Sequence, residues 1–275
     1  MQLPAISTEK NLFSLLAIDE VRVLSDLLNL DLSLADNNEF LMQILSLLME
    51  LLPEASGLVM DPIYGLPLLS KKSAKAGVLL RLSQDQSVEA DNLPQLFPNF
   101  SLQEVKNNYA LAKLELFYDL HSDNALEKKQ LLAEIKDYCQ TLGIDFLLKL
   151  KLPDAENDDS LLATLQELRN LADIFVLSEI NNPLSAATIT SELDVPWLLT
   201  TTDDKQAYDD FKDQLRTAVE NGARGYYLGN FLWQDLVECR LKEQSFDWPA
   251  MEKLVRGKLR DRLIELNRII AETAL

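Results

Sequence analysis

Short apolar runs alternate along the chain with longer stretches in which apolar residues recur every three or four positions. The first pattern suits buried strands, the second amphipathic helices. NLFSLLAI (Asn11 to Ile18) reads as a strand ending at Asp19 and Glu20. Helical pattern follows from Val21 to Asn29, then from Glu39 to Leu52, with Leu41, Ile44, Leu45, Leu48 and Leu51 on one stripe. The next strands are Ser56 to Met60, Gly77 to Leu82 and Leu111 to Leu120. Between them, IYGLP (Ile63 to Pro67) is turn chemistry, and the polar, proline-bearing segment Ser83 to Asn99 is a loop. A helix from Leu102 to Tyr109 leads into the fourth strand.

The helix Ala125 to Thr141 has Asn124 as its expected cap and Glu127 as the capping-box partner. Gly143 sits where a left-handed C-terminal residue belongs. The fifth strand is Ile144 to Leu150, and a helix follows from Leu161 to Leu171. Ile174 to Ile180 and Pro196 to Thr201 are the sixth and seventh strands. Asp203 or Asp204 caps the next helix, which Gly222 ends. Gly225 to Gly229 is the eighth strand, and a last helix spans Trp248 to Thr273. Strands that alternate with helices pair in parallel. Eight such units predict an α/β fold, a (β/α)8 TIM barrel spanning residues 1–275 as one domain. An open doubly wound sheet is disfavoured, because no glycine-rich phosphate loop follows an early strand.

Composition narrows the partners. With 47% hydrophobic residues in 275, the chain can bury a sizeable core. A net charge of −18 repels nucleic acid and anionic membranes, and keeps a protein soluble. Cys139 and Cys239 lie in no zinc-like spacing, so a reduced, cytoplasmic setting is expected. The N-terminus MQLPAISTEK has no basic stretch ahead of an apolar run, so no secretory leader is expected. Phe40 to Leu52, interrupted by Gln43 and Glu50, is too short to cross a bilayer.

In such barrels the site lies at the C-terminal ends of the strands. Those ends carry Asp19, Asp61, Arg81, Lys113, Glu115, Lys149, Ser178, Thr201 and Asn230. His121 is the single histidine and belongs to a surface loop, which removes a histidine-based metal site; no metal is expected. Lys113 and Glu115 share one strand face, as do Lys149 and Lys151. If level on adjacent strands, Lys113 and Lys149 stand roughly 5 Å apart. Each is then expected to lower the other's pKa, giving a neutral amine able to attack a carbonyl and form a Schiff base. Asp19 and Glu115 are the expected proton carriers. The competing reading has Lys149 and Lys151 pointing outward or snorkelling at the rim, paired with acidic loops.

At these residues the chain resembles the tagatose-bisphosphate aldolase family, class I aldolases with a barrel fold. LLAIDE (Leu15 to Glu20) is similar to the family's AIDQRG, and VMDPIYGLP (Val59 to Pro67) to its LLDPEYGLP. KLELFYD (Lys113 to Asp119) is similar to KFLLYYD, and GYYLGNFLW (Gly225 to Trp233) to GVLCGRATW. LIELNRIIAETA (Leu263 to Ala274) resembles the last helix. The resemblance implies catalytic roles for Asp19 and Lys113 and carries over Asp61; Arg81, from its place on the third strand, is a further candidate substrate contact. It implies no metal or organic cofactor, since a lysine activates the carbonyl. Several positions depart. The family's Schiff-base lysine falls on Val176, its fifth-strand glutamate on Lys149, and its phosphate-binding arginine on Asn230. TTTDD (Thr200 to Asp204) replaces a phosphate loop with acidic residues.

Three expectations follow. One is a divergent carbon–carbon lyase acting on a ketose (bis)phosphate, with Lys149 or Lys113 as the Schiff-base amine and Glu115 and Asp19 beside it. Another is a catalytically degenerate barrel serving as a binding or assembly partner, an oligomer included. The third is an isomerase using Asp19 or Glu115 as base.

Overall fold

Eight parallel strands close into a barrel in sequence order. They are β1 (Phe13–Ala17), β2 (Gly57–Met60), β3 (Gly77–Arg81), β4 (Leu111–Phe117), β5 (Phe146–Lys151), β6 (Ile174–Leu177), β7 (Trp197–Leu199) and β8 (Gly225–Leu228). The computed structural model describes residues 3–70, 76–84, 92–153, 158–178, 180, 182–201, 206–241 and 245–274, the side chains of 158 and 159 excepted. The helices crossing between strands are α1 (Val21–Leu28), α2 (Ala35–Leu48), α3 (Pro62–Leu69), α4 (Leu102–Asn107), α5 (Ala125–Leu142), α6 (Asp158–Leu168), α7 (Pro183–Glu192) and α8 (Tyr208–Glu220). A short α9 (Asn230–Trp233) follows β8, and the final helix consists of α10 (Trp248–Leu254), a π-turn (Val255–Leu259) and α11 (Arg260–Thr273). Among the described residues no helix is long and apolar enough to cross a membrane.

Strand alternation divides the apolar residues between two cores. Leu15, Ala17, Val59, Leu79, Leu111, Leu147, Ile174, Val176, Leu198 and Tyr227 point inward and pack as one cluster with Ile6. Their neighbours Leu16, Leu58, Leu80, Leu114, Leu148, Phe175 and Leu199 point outward under the helices. Each buried aliphatic side chain contributes about 1.5–3 kcal/mol. Ile6 belongs to a 3₁₀ turn (Leu3–Ile6) that plugs the N-terminal end of the barrel. The Leu3 amide ties that plug down by donating to Asp145 Oδ2 at 3.0 Å. Closure between β8 and β1 needs glycine at Gly225. Its φ is +143°, and a Cβ there would lie 1.8 Å from the Phe13 carbonyl oxygen.

Local chemistry overturns several sequence expectations. IYGLP is not a turn but part of α3. Asp61 caps that helix, accepting from the Ile63 and Tyr64 amides at 2.7 and 3.2 Å, and Pro62 occupies the first helical position, where its missing N–H costs nothing. α7 was not expected: its β-branched Thr188, Ile189 and Thr190 depress the helical signal, while the Asn182 cap on the Ser185 amide and Pro183 at the first position start it. Asn124 makes no capping bond to α5, because its backbone is not extended there (φ −100°, ψ 9°). The capping box lies instead on α4, between Ser101 and Glu104. Gly143 does close α5 in the left-handed region, at φ +69°. Asp203 and Asp204 lie outside the described residues, and the cap position of α8 is Ala207.

Candidate active site

The inward alternation that fills the lower barrel with apolar side chains delivers charged ones a step further along the same strands. Arg81, Lys113, Glu115 and Lys149 all occupy inward positions, and Asp19 stands just past β1. Register sets their heights. Arg81 pairs with Lys113, Lys113 with Leu147, Glu115 with Lys149, and Lys149 with Val176. The two lysines are therefore not level, as expected from spacing alone: Lys149 sits one inward position higher, beside Glu115.

The carboxylates convert the two lysines into a network. Lys113 Nζ is fully buried and donates to Asp19 Oδ2 at 2.7 Å and to Glu115 Oε2 at 3.2 Å. Lys149 Nζ donates to Glu20 Oε1 at 3.0 Å and lies 3.5 Å from the same Glu115 Oε2. Lys151 Nζ takes the other oxygen, Oε1, at 2.7 Å. The Tyr227 hydroxyl donates to Asp19 Oδ1 at 3.2 Å, and its ring lies under both Lys113 and Lys149, with centroids 5.8 and 5.2 Å from Nζ. Arg81 Nη1 donates to the Asp19 carbonyl at 3.1 Å. Both amines thus face one shared interior, and Glu115 bridges them.

This geometry corrects the expected electrostatics. Burial alone would push the Lys149 ammonium down, but Glu115, Glu20 and Asp19 together hold it above the ordinary lysine range. The expected depression does not occur at Lys149, because Glu115 at 3.5 Å and Glu20 at 3.0 Å outweigh it. Burial opposes ionisation of Asp19, yet Lys113, Arg81 and Lys149 hold its pKa below the usual value. Glu115 goes further in the same direction: burial raises its pKa, and Lys149, Lys113 and Lys151 more than reverse that. Burial, with Asp19, Glu20 and Glu115 close by, keeps the Tyr227 hydroxyl protonated far above its ordinary range.

Of the residues expected at the site, Asp19, Arg81, Lys113, Glu115 and Lys149 are brought together. Asp61 stands apart as the α3 cap, lining a cavity of about 490 Å3 with Arg22, Tyr64 and Gln84. Asn230 is buried at the start of α9, next to the end of β8. Ser178 and Thr201 lie just past β6 and β7. His121 is exposed in a turn, its amide donating to Asp119. Three participants were not assigned from sequence: Glu20, Lys151 and Tyr227. Tyr227 could have been found from β8 alternation, since Gly225 and Tyr227 share the inward face. Glu20 depends on how α1 leaves the strand, which no periodicity encodes. Among the described residues, no group of three or more His, Cys, Asp or Glu is arranged to hold a metal ion.

No family model matches the chain. Against curated proteins it is similar to tagatose 1,6-diphosphate aldolase 2 of Streptococcus pyogenes serotype M1, 24% identical over 264 residues, covering 82% of this chain and 80% of that one. Tagatose 1,6-diphosphate aldolase 2 of Enterococcus faecalis is 30% identical over 162 residues, covering 56% of this chain and 48% of its own length. Among solved structures, an archaeal fructose 1,6-bisphosphate aldolase superposes with a TM-score of 0.67 at 14% identity, covering 98% of both chains. A second archaeal fructose-1,6-bisphosphate aldolase structure, with its catalytic lysine covalently bound to the carbinolamine intermediate of the substrate, superposes at 0.68. These structural likenesses establish the fold.

Proposed function

Since the chain is a divergent relative of the tagatose-bisphosphate aldolases, we propose that it is a carbon–carbon lyase opening a ketose phosphate through a Schiff base on Lys149. The observation that carries this reading is the register of Lys149. It pairs with Val176, the apolar residue onto which the family's Schiff-base lysine falls, so an amine stands one strand away at the same height. Lys149 suits the role better than Lys113. The Lys113 side chain has no exposed surface, whereas the Lys149 side chain is 10% exposed.

The chemistry needs a neutral amine, so the resting Lys149 ammonium, which Glu20 and Glu115 hold charged, first loses its proton to solvent. The Lys149 nitrogen then adds to the ketose carbonyl carbon. The carbonyl oxygen takes protons and leaves as water, giving a protonated imine. A carboxylate removes the proton from the hydroxyl beyond the scissile bond, and an aldehyde departs as the bond's electron pair moves into the imine. The resulting enamine is reprotonated and hydrolysed, freeing the second product and the lysine. Lys113 and Arg81 keep Asp19 ionised throughout.

A second reading has its own support. An ammonium held by three carboxylates, beside an apolar Val176, suits a barrel that has lost catalysis and binds a partner. Borohydride reduction with a panel of ketose and triose phosphates, followed by peptide mass mapping, separates the two. The lyase reading expects a reduced adduct on the peptide carrying Lys149. No adduct across the panel, with a stable protein complex recovered from native extract, favours the degenerate barrel.

A further inference from the structure

Among the described residues, the charges at the mouth of the barrel are unevenly placed. Lys113, Lys149 and Lys151 stand on the adjacent strands β4 and β5. Asp19 and Glu20 end β1, and Tyr227 and Asn230 belong to β8 and the helix after it, on the opposite wall of the closed barrel. Glu20 also faces the β8 end: its Oε2 lies 3.7 Å from where a Cβ on Gly229 would be. Glu115 stands on the lysine side with both oxygens engaged, Oε2 on Lys113 and Lys149, Oε1 on Lys151.

The lysines also differ in access. Lys113 has no exposed side-chain surface and Lys149 has 10%, but Lys151 has 45%. An ammonium has three donors, and Lys151 is seen giving one to Glu115. It can keep that bond and donate to an incoming anion. An anion on the opposite wall instead meets Glu20 Oε2, the oxygen turned toward Gly229 and away from Lys149, and is repelled. Bulk charge does not explain this polarity, since the chain as a whole is strongly acidic.

We infer that the site takes a substrate with one anionic end, a ketose monophosphate whose phosphate is held by Lys151 and whose unphosphorylated hydroxyl end lies toward Glu20, Tyr227 and Asn230. This rests on the lyase reading and narrows it, because a ketose bisphosphate would set its second phosphate against the β1 wall. Lys151 is then the specificity-determining residue, and the hydroxyls have acceptors in Glu20 and Asn230 where a phosphate would not.

Calorimetry with fructose, fructose 1-phosphate, fructose 6-phosphate and fructose 1,6-bisphosphate tests it on the full-length protein, on Lys151→Met and on Lys151→Arg. One monophosphate is expected to bind about tenfold or more tightly than fructose or the bisphosphate, as one charge-assisted hydrogen bond allows. Lys151→Met should remove that preference, and Lys151→Arg should restore it, with unfolding curves confirming that both variants fold. The inference is overturned if the bisphosphate binds as tightly as the better monophosphate, if no phosphorylated sugar binds, or if Lys151→Met leaves the preference intact. Borohydride trapping on the same samples keeps the two readings apart. Monophosphate preference without an adduct removes the lyase and leaves the one-ended anion site; an adduct with bisphosphate preference does the reverse.

Discussion

The lower and upper halves of the barrel interior are built from the same strands, yet they are held by different forces. Below, Leu111, Leu147, Ile174 and Leu198 fill the space with apolar volume around the Ile6 plug. Above, Lys113, Glu115 and Lys149 continue the same inward rows and exchange packing for ion pairs. An apolar interior tolerates a volume-conserving swap at modest cost. A buried ion-pair network does not tolerate the loss of one member, because the remaining charge is left without compensation. Stability alone favours the apolar solution at both levels, and buried ion pairs are weak evidence for stability. The upper half is therefore the part of the interior that stability does not account for.

That contrast can be broken deliberately. The largest stability effect is expected from Lys113→Met, which strands Asp19 and Glu115 as buried carboxylates and should cost about 3–5 kcal/mol in urea unfolding. Adding Asp19→Asn to that variant should recover part of the loss, since the two residues are in direct contact and their effects are not additive. A full additive loss would contradict the network. In the lower half, Leu147→Met should cost less than about 1.5 kcal/mol, because the volume is kept.

Acid should act on the upper half first. Asp19 and Glu115 have folded pKa values below their ordinary ones, so their contribution is complete above the ordinary carboxylate range and is lost as pH falls through those lower values. Lys149 is raised, so its contribution is complete below the ordinary lysine value of 10.5 and is lost only as pH rises through its higher folded value. Unfolding midpoints for Glu115→Gln should therefore depend less on pH than the unmutated chain's as pH falls below the ordinary carboxylate value of 4.5. An unchanged slope would mean that Glu115 is not held ionised by the lysines. Asp61→Ala tests a residue outside the network: losing the α3 cap should cost about 1 kcal/mol with little change in ligand binding.

The barrel was legible in the sequence because strand periodicity, helix stripes and Gly143 all report local physics. α7 and α3 were less legible: Thr188 and Ile189 weaken a helical pattern, and Gly65 with Pro67 imitates a turn. At the site, the inward rows placed Lys113, Glu115 and Lys149 together, but their relative height follows from barrel stagger, which a strand pattern does not contain. The sign of the shift at Lys149 depended on that height. Beside Lys113 it would have been depressed; beside Glu115 and within reach of Glu20 it is raised.

The account turns on Lys149 being an amine that loses its proton and then attacks a carbonyl. Borohydride trapping with a ketose monophosphate, followed across pH 6 to 10 with the modified peptide sequenced, tests this most directly. The adduct should map to Lys149 and form faster as pH rises, because the resting ammonium must lose its proton. Modification at Lys113 instead, or no adduct at any pH, would contradict it.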